Sequence, residues 1–93
     1  MKVVVVYDIP VEHDRLRREV REFLRDMGGR FIQYSVYEAE LDEEGVERLL
    51  RGLERLLKKG GGKVDVFFPC KKCYAEIRII DSSPPSRESV AME

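Results

Sequence analysis

The sequence predicts an α+β fold, in which two helices pack against one face of an antiparallel β-sheet. Three observations indicate this class: the chain opens with a run of valines, two later segments carry apolar residues at helical spacing, and short strand-forming segments surround them. Ninety-three residues are enough for one domain with a modest core. A hydrophobic content of 43% excludes a wholly disordered chain.

The first predicted strand lies in residues 2–10, which read KVVVVYDIP. Its β-branched residues predict a strand that is fully buried. Asp8 follows where the strand leaves the core, and Pro10 prevents further pairing. An acidic side chain at the end of a rigid strand can bind a cation, but it can equally accept backbone hydrogen bonds in the following turn. Both interpretations of Asp8 stay open at this point.

The first predicted helix covers residues 11–27. Its apolar residues recur at helical spacing and form one face; they are Leu16, Val20, Phe23, Leu24 and Met27. Gly28 and Gly29 end the helix, because glycine adopts the left-handed conformation of a helix C-terminus at little cost. The polar side carries arginines among acidic residues, and these could form ion pairs within the helix or contact phosphate groups: Arg15, Arg17, Arg18, Arg21 and Arg25.

The middle of the chain predicts two short strands, at residues 30–34 and 36–40, with a bend near Ser35. Asp42 is the predicted N-cap of a second helix, whose apolar stripe extends to Leu57. This part of the chain therefore supplies two strands and the second helix.

The last third of the chain begins with three glycines at residues 60–62, which break the second helix. Residues 64–68 predict a fourth strand and residues 76–80 predict a fifth. Residues 81–93 contain two consecutive prolines and show no periodicity. They predict a disordered tail that follows a single domain of residues 1–80.

The predicted order β-α-β-β-α-β, with one added strand, is the ferredoxin-like arrangement. Both helices lie on one face of the sheet, so the other face would be bare in a monomer. A homodimer would cover this face, and a fifth strand that crossed to the neighbour's sheet would also protect its edge. We therefore expect a homodimer.

The charges nearly balance, because 17 Lys and Arg residues face 18 Asp and Glu residues and give a net charge of −1. Residues 58–80 nevertheless carry a local excess of basic residues, so the folded chain could present a basic surface. Lys71 and Lys72 in this segment are candidate phosphate contacts. No apolar run is long enough to cross a membrane and no signal-peptide pattern opens the chain. The sequence thus predicts a cytoplasmic protein with no membrane partner.

The two cysteines form the motif Cys70-Lys71-Lys72-Cys73. This is half of a zinc site, and the only histidine, His13, is distant in sequence, although two chains could combine four sulfurs. A redox pair would be expected at the start of a helix after a strand, whereas the segment that follows here is predicted to be a strand. The motif is therefore interpreted foremost as a structural turn.

The chain resembles the CRISPR-associated protein 2 family in four features that occur in order and at the right spacing. They are Tyr7-Asp8 at the end of the first strand, the arginine-rich first helix, RFIQYSVYE at 30–38 and PCKKC at 69–73. The segment 30–38 is the most specific, and the resemblance runs from Met1 to about Ile80. The VapD ribonucleases share the fold and are the relatives most easily confused with this family.

The resemblance implies a homodimer in which Asp8 faces its symmetry mate across a cleft. It implies a role in CRISPR spacer acquisition, with metal-dependent endonuclease activity on single-stranded RNA or double-stranded DNA. The alternative that the resemblance leaves open is a non-catalytic scaffold, in which the dimer binds duplex DNA and docks between dimers of the CRISPR-associated integrase.

The resemblance also implies roles for individual residues. Tyr7 and Ser35 would act with Asp8 in catalysis, although Tyr7 could instead belong to the core and Ser35 could simply form the bend. The ring at position 37 stands where many family members have phenylalanine. The implied nucleic-acid contacts are Arg17 or Arg18, Arg30 and Tyr37.

The chemistry favours a metal-assisted reaction. Metal-free RNA cleavage usually needs a general acid and a general base, commonly two histidines, and this chain has one. Mg²⁺, or another divalent cation, fits better because it retains several waters and needs only one or two carboxylates. Such a cation would activate water and neutralise charge on the phosphate. One Asp8 is too few for tight binding, so we expect the two Asp8 side chains of a homodimer to bind the cation together.

Overall fold

A computed structural model describes residues 1–82 and contains one antiparallel sheet with two long helices on one of its faces. The elements in chain order are β1 (Lys2–Asp8), α1 (Asp14–Asp26), β2 (Arg30–Gln33), β3 (Val36–Glu40), α2 (Glu43–Leu57), β4 (Lys63–Phe67) and α3 (Lys71–Ala75). The strands lie in the order β2-β3-β1-β4, and every neighbouring pair is antiparallel. This order confirms the predicted ferredoxin-like fold.

The central strand β1 is buried on one face only. Val3 and Val5 point toward the helices and are fully buried, whereas Val4 and Val6 on the opposite face are half-buried. The prediction of a strand buried on both faces is therefore wrong for the protomer. The physical reason is that α1 and α2 both cover the same face of the sheet.

The two long helices pack closely through a small residue. Gly52 of α2 is buried, and a Cβ atom added there would overlap the ring of Phe23 on α1. The predicted N-cap of α2 is confirmed, since the Asp42 Oδ1 accepts a hydrogen bond from the Gly45 N–H at 2.7 Å. Helix α1 is shorter than predicted, because a 3₁₀ turn at Val11–His13 precedes it. Among residues 1–82, no helix combines the length and the apolar content that crossing a bilayer requires.

The predicted fifth strand at residues 76–80 is wrong for the protomer, because α3 follows β4 and residues 76–82 adopt no regular secondary structure. The Cys70 Sγ accepts a hydrogen bond from the Cys73 N–H, and this contact caps α3. The Tyr74 hydroxyl then donates to the Glu38 carboxylate, which holds α3 against the sheet instead of beside β4. Residues 83–93, most of the predicted tail, lie outside the described residues.

The face of the sheet opposite α1 and α2 is called here the open face. The strand registers place Val4, Val6, Asp8, Val36 and Phe67 on it. The Phe67 side chain is 52% exposed, and α3 contacts this face only at the end that Asp8 does not occupy. Val4, Val6 and Val36 are half-buried, and the charged residues Glu38 and Asp65 share the face with them. Apolar side chains that are left accessible on one face of a sheet are typical of an interface.

Candidate active site

Asp8 is the last residue of β1, and strand alternation places its side chain on the open face. Lys63 lies opposite in the register but forms its ion pair with Asp65, at 3.6 Å. Within residues 1–82 the Asp8 side chain makes no hydrogen bond and no ion pair. The interpretation of Asp8 as a backbone-bonding turn residue is therefore wrong, and its carboxylate is exposed and available to a cation.

A small cleft of about 140 Å³ adjoins Asp8 and is called the Asp8 cleft. It brings together one strand end, one turn and one helix, because the end of β1, the β2–β3 turn and α1 meet at this edge of the sheet. Its lining residues are Tyr7, Asp8, Ile9, Arg17, Tyr34 and Ser35. Four residues that the sequence nominated separately, Tyr7, Asp8, Arg17 and Ser35, thus lie around one cleft.

Tyr7 is a core residue whose polar groups hold the β2–β3 turn on β1. Its side chain is buried, and its hydroxyl donates to the Tyr34 carbonyl oxygen at 2.9 Å. The same hydroxyl accepts from the Arg21 Nη1 at 3.1 Å. The Tyr7 N–H donates to the Ser35 carbonyl oxygen at 3.1 Å. The Tyr7 hydroxyl is therefore already occupied within the protein.

The sequence indicated no function for Tyr34, and it offered Arg21 only as one of five α1 arginines that could form ion pairs or contact phosphate. The Arg21 guanidinium also donates to the Tyr34 carbonyl oxygen, and it lies 4.7 Å from the centroid of the Tyr34 ring. The Arg17 guanidinium lies 4.9 Å from the same centroid. These contacts join residues more than ten positions apart, so helical or strand periodicity carries no signal for them.

The arginines of α1 do not form the ion pairs that their spacing allows. No arginine of α1 lies within 4.0 Å of an acidic oxygen in the described part of the chain, and Glu19 pairs instead with Lys59 at 3.2 Å. Arg18 is exposed and Arg17 is half-buried beside Tyr34. Their positive charge is therefore available to an external anion.

No group of three or more His, Cys, Asp or Glu side chains within residues 1–82 could bind a metal ion. Asp8 is a single hard-oxygen ligand that is exposed and unpaired. This donor set fits Mg²⁺ only if most ligands are waters and a second carboxylate comes from another molecule.

A model of the family described as CRISPR associated protein Cas2 matches residues 1–77 of this chain. The chain belongs to the Cas2 family. It is 31% identical over 90 residues to the CRISPR-associated endoribonuclease Cas2 1 of Chloroflexus aurantiacus, and this match covers 96% of this chain and 94% of the relative. It is 35% identical over 79 residues to the CRISPR-associated endoribonuclease Cas2 of Desulforudis audaxviator, covering 85% of this chain and 70% of the relative.

The crystal structure of Streptococcus pyogenes Cas2 has the same fold, with a TM-score of 0.75 at 19% sequence identity. That comparison covers 87% of this chain and 100% of the other. The membership in the Cas2 family that the four sequence features predicted is thus confirmed.

Tyr37 lies in the core of the protomer. Its side chain is fully buried, its ring packs edge-on against Phe31 with centroids 5.5 Å apart, and its hydroxyl accepts from the Gly29 N–H at 3.0 Å. Burial raises the pKa of Tyr37, and the hydrogen bond from Gly29 opposes this rise. The predicted nucleic-acid contact by Tyr37 is contradicted by this burial, because strand alternation turns the ring into the core.

Arg30 lies in a separate cluster at the other end of the sheet. Its Nε donates to the Glu38 carboxylate at 2.7 Å, and the Tyr74 hydroxyl donates to the same carboxylate. Burial opposes ionisation of Glu38, but the hydrogen bonds from Tyr74 and Arg30 outweigh it and hold the pKa of Glu38 below its usual value. Lys2 lies over the Tyr74 ring, 4.6 Å from its centroid.

The predicted phosphate contacts Lys71 and Lys72 belong to this second region. Both are exposed on α3. Since a strand rises about 3.3 Å per residue, the Lys2 end of β1, where α3 docks, lies about 20 Å from Asp8. The predicted site residues Tyr7, Asp8, Arg17 and Ser35 therefore line the Asp8 cleft, whereas Arg30, Lys71 and Lys72 lie outside it.

The Cys70 and Cys73 pair begins α3 directly after β4, so the expectation that a strand follows it is wrong. Both thiols are free and exposed. Hydrogen bonding from the Cys73 backbone and side chain lowers the pKa of Cys70. The neighbouring Cys70 sulfur raises the pKa of Cys73. The two thiols are thus chemically unequal.

Proposed function

We propose that this Cas2 protein is an endoribonuclease that acts as a homodimer and depends on a divalent cation bound by paired Asp8 side chains. The observation that carries the proposal is the place of Asp8, exposed and unpaired on the open face of the sheet. The relatives from Chloroflexus aurantiacus and Desulforudis audaxviator are both named CRISPR-associated endoribonucleases, which supports the class of reaction.

The composition of the open face supports the homodimer. Val4, Val6, Val36 and Phe67 form an apolar strip that continues to Asp8 along β1. A second copy seated on this strip would remove it from water, at about 25 cal/mol for each Å² of apolar surface. Only residues close to a twofold axis meet their symmetry mates, so an axis that passes near the Asp8 end of β1 would bring the two Asp8 side chains together.

Each residue of the Asp8 cleft would then have a separate role in the reaction. The Asp8 pair would hold the cation, which supplies an activated water and neutralises charge on the phosphate when bound. Arg17 lines the cleft without an acidic partner and would bind the phosphate of the scissile bond. Ser35 would orient the substrate through its hydroxyl, and Tyr7 would hold the turn that carries Ser35.

Asp8→Asn tests the proposal, because it keeps the size of the side chain and removes the charge that a hard cation needs. We expect the pure variant to fold, to dimerise and to bind RNA without metal, while Mg²⁺-dependent cleavage falls at least about a hundredfold, on the order of 3 kcal/mol. The matched control is Asp65→Asn, on the same face, where the carboxylate is paired with Lys63. Cleavage by Asp8→Asn at the wild-type rate would contradict the proposed role.

A second candidate function has its own observation. Lys71 and Lys72 are exposed on α3, which contacts the sheet at Lys2 and Glu38 and does not line the Asp8 cleft. The exposed apolar residues Ile77, Ile79 and Ile80 follow them. A dimer could use these surfaces to hold duplex DNA and to dock the CRISPR-associated integrase. Undiminished spacer acquisition by Asp8→Asn in cells would make this scaffold role the physiological one.

A further inference from the structure

Tyr34 is an exposed aromatic residue held in a defined place beside Asp8. It occupies the β2–β3 turn, its side chain is 61% exposed, and it lines the Asp8 cleft together with Arg17. It is absent from the hydrophobic core of the described chain. An isolated exposed aromatic ring is common on protein surfaces, so the informative feature is what fixes this one.

Two kinds of contact fix Tyr34. Its carbonyl oxygen accepts hydrogen bonds from the Tyr7 hydroxyl and from Arg21, which anchor the turn to β1 and α1. Its ring lies within 4.9 Å of the Arg17 guanidinium and 4.7 Å of that of Arg21. These arginines are one helical turn apart on α1, so both approach the ring from the helix. Tyr34 remains 61% exposed despite both contacts.

We propose that Tyr34 stacks on an unpaired base of single-stranded RNA and that Arg17 and Arg21 position its ring for this purpose. The inference rests on the proposed function, since it names the residue that places the substrate beside Asp8. Aromatic rings that stack on bases are typical of proteins that bind single strands, whereas a base inside a duplex keeps its faces covered by its neighbours. Arg17 would then contact the adjacent phosphate, because it lines the same cleft.

The affinity contributed by a base contact and the affinity contributed by a phosphate contact respond differently to salt. A lost phosphate contact makes the plot of log affinity against log salt less steep, by about 0.7 for a single strand. A lost stacking contact lowers affinity at every salt concentration and leaves the slope unchanged. Tyr34 and Arg17 should therefore give distinct signatures even though their side chains touch.

The experiment measures the affinity of the full chain for a fluorescent single-stranded RNA and for an RNA duplex of the same sequence, in EDTA so that no cleavage occurs. Tyr34→Leu keeps an apolar side chain but cannot stack, and we expect it to weaken single-strand binding about 5- to 100-fold with an unchanged salt slope. Tyr34→Trp should restore binding, Arg17→Ala should reduce the slope, and duplex affinity should not respond to Tyr34. Thermal unfolding of each variant confirms that it is folded.

The outcomes distinguish this inference from the proposed function. Wild-type affinity of Tyr34→Leu for the single strand would overturn the stacking role, as would an equal loss for single strand and duplex. A failure of the wild-type chain to bind the single strand at all would overturn it too. The expected binding pattern with no Mg²⁺-dependent cleavage would support stacking and would reject the nuclease proposal alone.

Discussion

Three tyrosines of this Cas2 chain show how the surroundings of a residue decide its role. The hydroxyls of Tyr7 and Tyr37 are used inside the protein, the first by Tyr34 and Arg21 and the second by the Gly29 N–H. The Tyr34 ring is exposed, and its hydroxyl makes no hydrogen bond within the described residues. Of these three tyrosines, only Tyr34 has an exposed ring.

Tyr37→Phe tests the corrected role of Tyr37. The variant removes the acceptor of the Gly29 N–H, so we expect the free energy of unfolding to fall by about 1–3 kcal/mol while RNA affinity is unchanged. Tyr34→Phe is the matched control, and its stability should remain within about 0.5 kcal/mol of the wild type. Denaturant unfolding and RNA titration measure both quantities. A drop in RNA affinity without a change in stability would indicate that Tyr37 contacts RNA and would contradict the structural role.

The unequal thiols of Cys70 and Cys73 give a second prediction at this scale. Because the pKa of Cys70 is lowered and that of Cys73 is raised, Cys70 has the larger thiolate fraction near neutral pH. We expect iodoacetamide to alkylate Cys70 first, as peptide mass mapping at short reaction times would reveal. Faster labelling of Cys73 would mean that the cap of α3 is not formed in solution.

At the scale of elements, the regular helices and strands follow from the sequence, whereas α3 depends on a distant residue. The apolar spacing of α1 and the Asp42 cap of α2 are local signals, and both predictions are confirmed. Ile77, Ile79 and Ile80 also suggest a strand locally. The contact between Tyr74 and Glu38, which are 36 positions apart, places α3 on the sheet, and no local pattern contains that information.

The same limit applies to the Asp8 cleft. Tyr7, Asp8, Ser35 and Arg17 could be nominated from the sequence because their segments resemble one family. The anchoring of the β2–β3 turn by Arg21 could not be predicted from the sequence, since it arises only when α1 packs beside that turn. Strand alternation could have excluded Tyr37 from the surface, because it faces the same side as the buried Ala39.

Glu38→Gln tests how α3 is docked. Since the folded-state pKa of Glu38 is lowered, its ionised form contributes stability above the unfolded-state pKa of about 4.3, and this contribution is lost as pH falls through the folded-state value. We expect the variant to lose about 1–3 kcal/mol at pH 7 and less at pH 3, by denaturant unfolding. Exchange of the Tyr74 N–H, which is bonded to the Cys70 carbonyl oxygen, should also speed up. A deficit that is the same at both pH values would contradict this docking.

The whole molecule is asymmetric, because one face of its sheet is covered by helices and the other carries an exposed apolar strip. The strip and Asp8 share that face, so assembly and chemistry are expected to depend on the same surface. The exposed segment after α3 is the natural candidate to extend the interface, since Ile77, Ile79 and Ile80 have no core of their own.

Two truncations test this assignment. Deleting residues 76–93 removes the three isoleucines and should weaken dimerisation sharply, whereas deleting residues 83–93 should leave it intact. Sedimentation velocity over a dilution series measures the dimer dissociation constant of each. If both truncated chains dimerise as tightly as the full chain, the interface lies on the open face alone, and residues 76–80 have no part in it.

The proposed mechanism requires two Asp8 carboxylates, one from each copy, to act as a unit. Equal amounts of wild-type chain and Asp8→Asn are unfolded, mixed and refolded, so that mixed dimers form at random, and Mg²⁺-dependent cleavage of single-stranded RNA is measured. If both aspartates are required, only dimers of two wild-type chains are active, and these make up about one quarter of all dimers. The mixture should then retain about one quarter of the activity of the same total amount of protein that is entirely wild type. Retention of about one half would mean that each Asp8 works independently, and it would contradict the paired site.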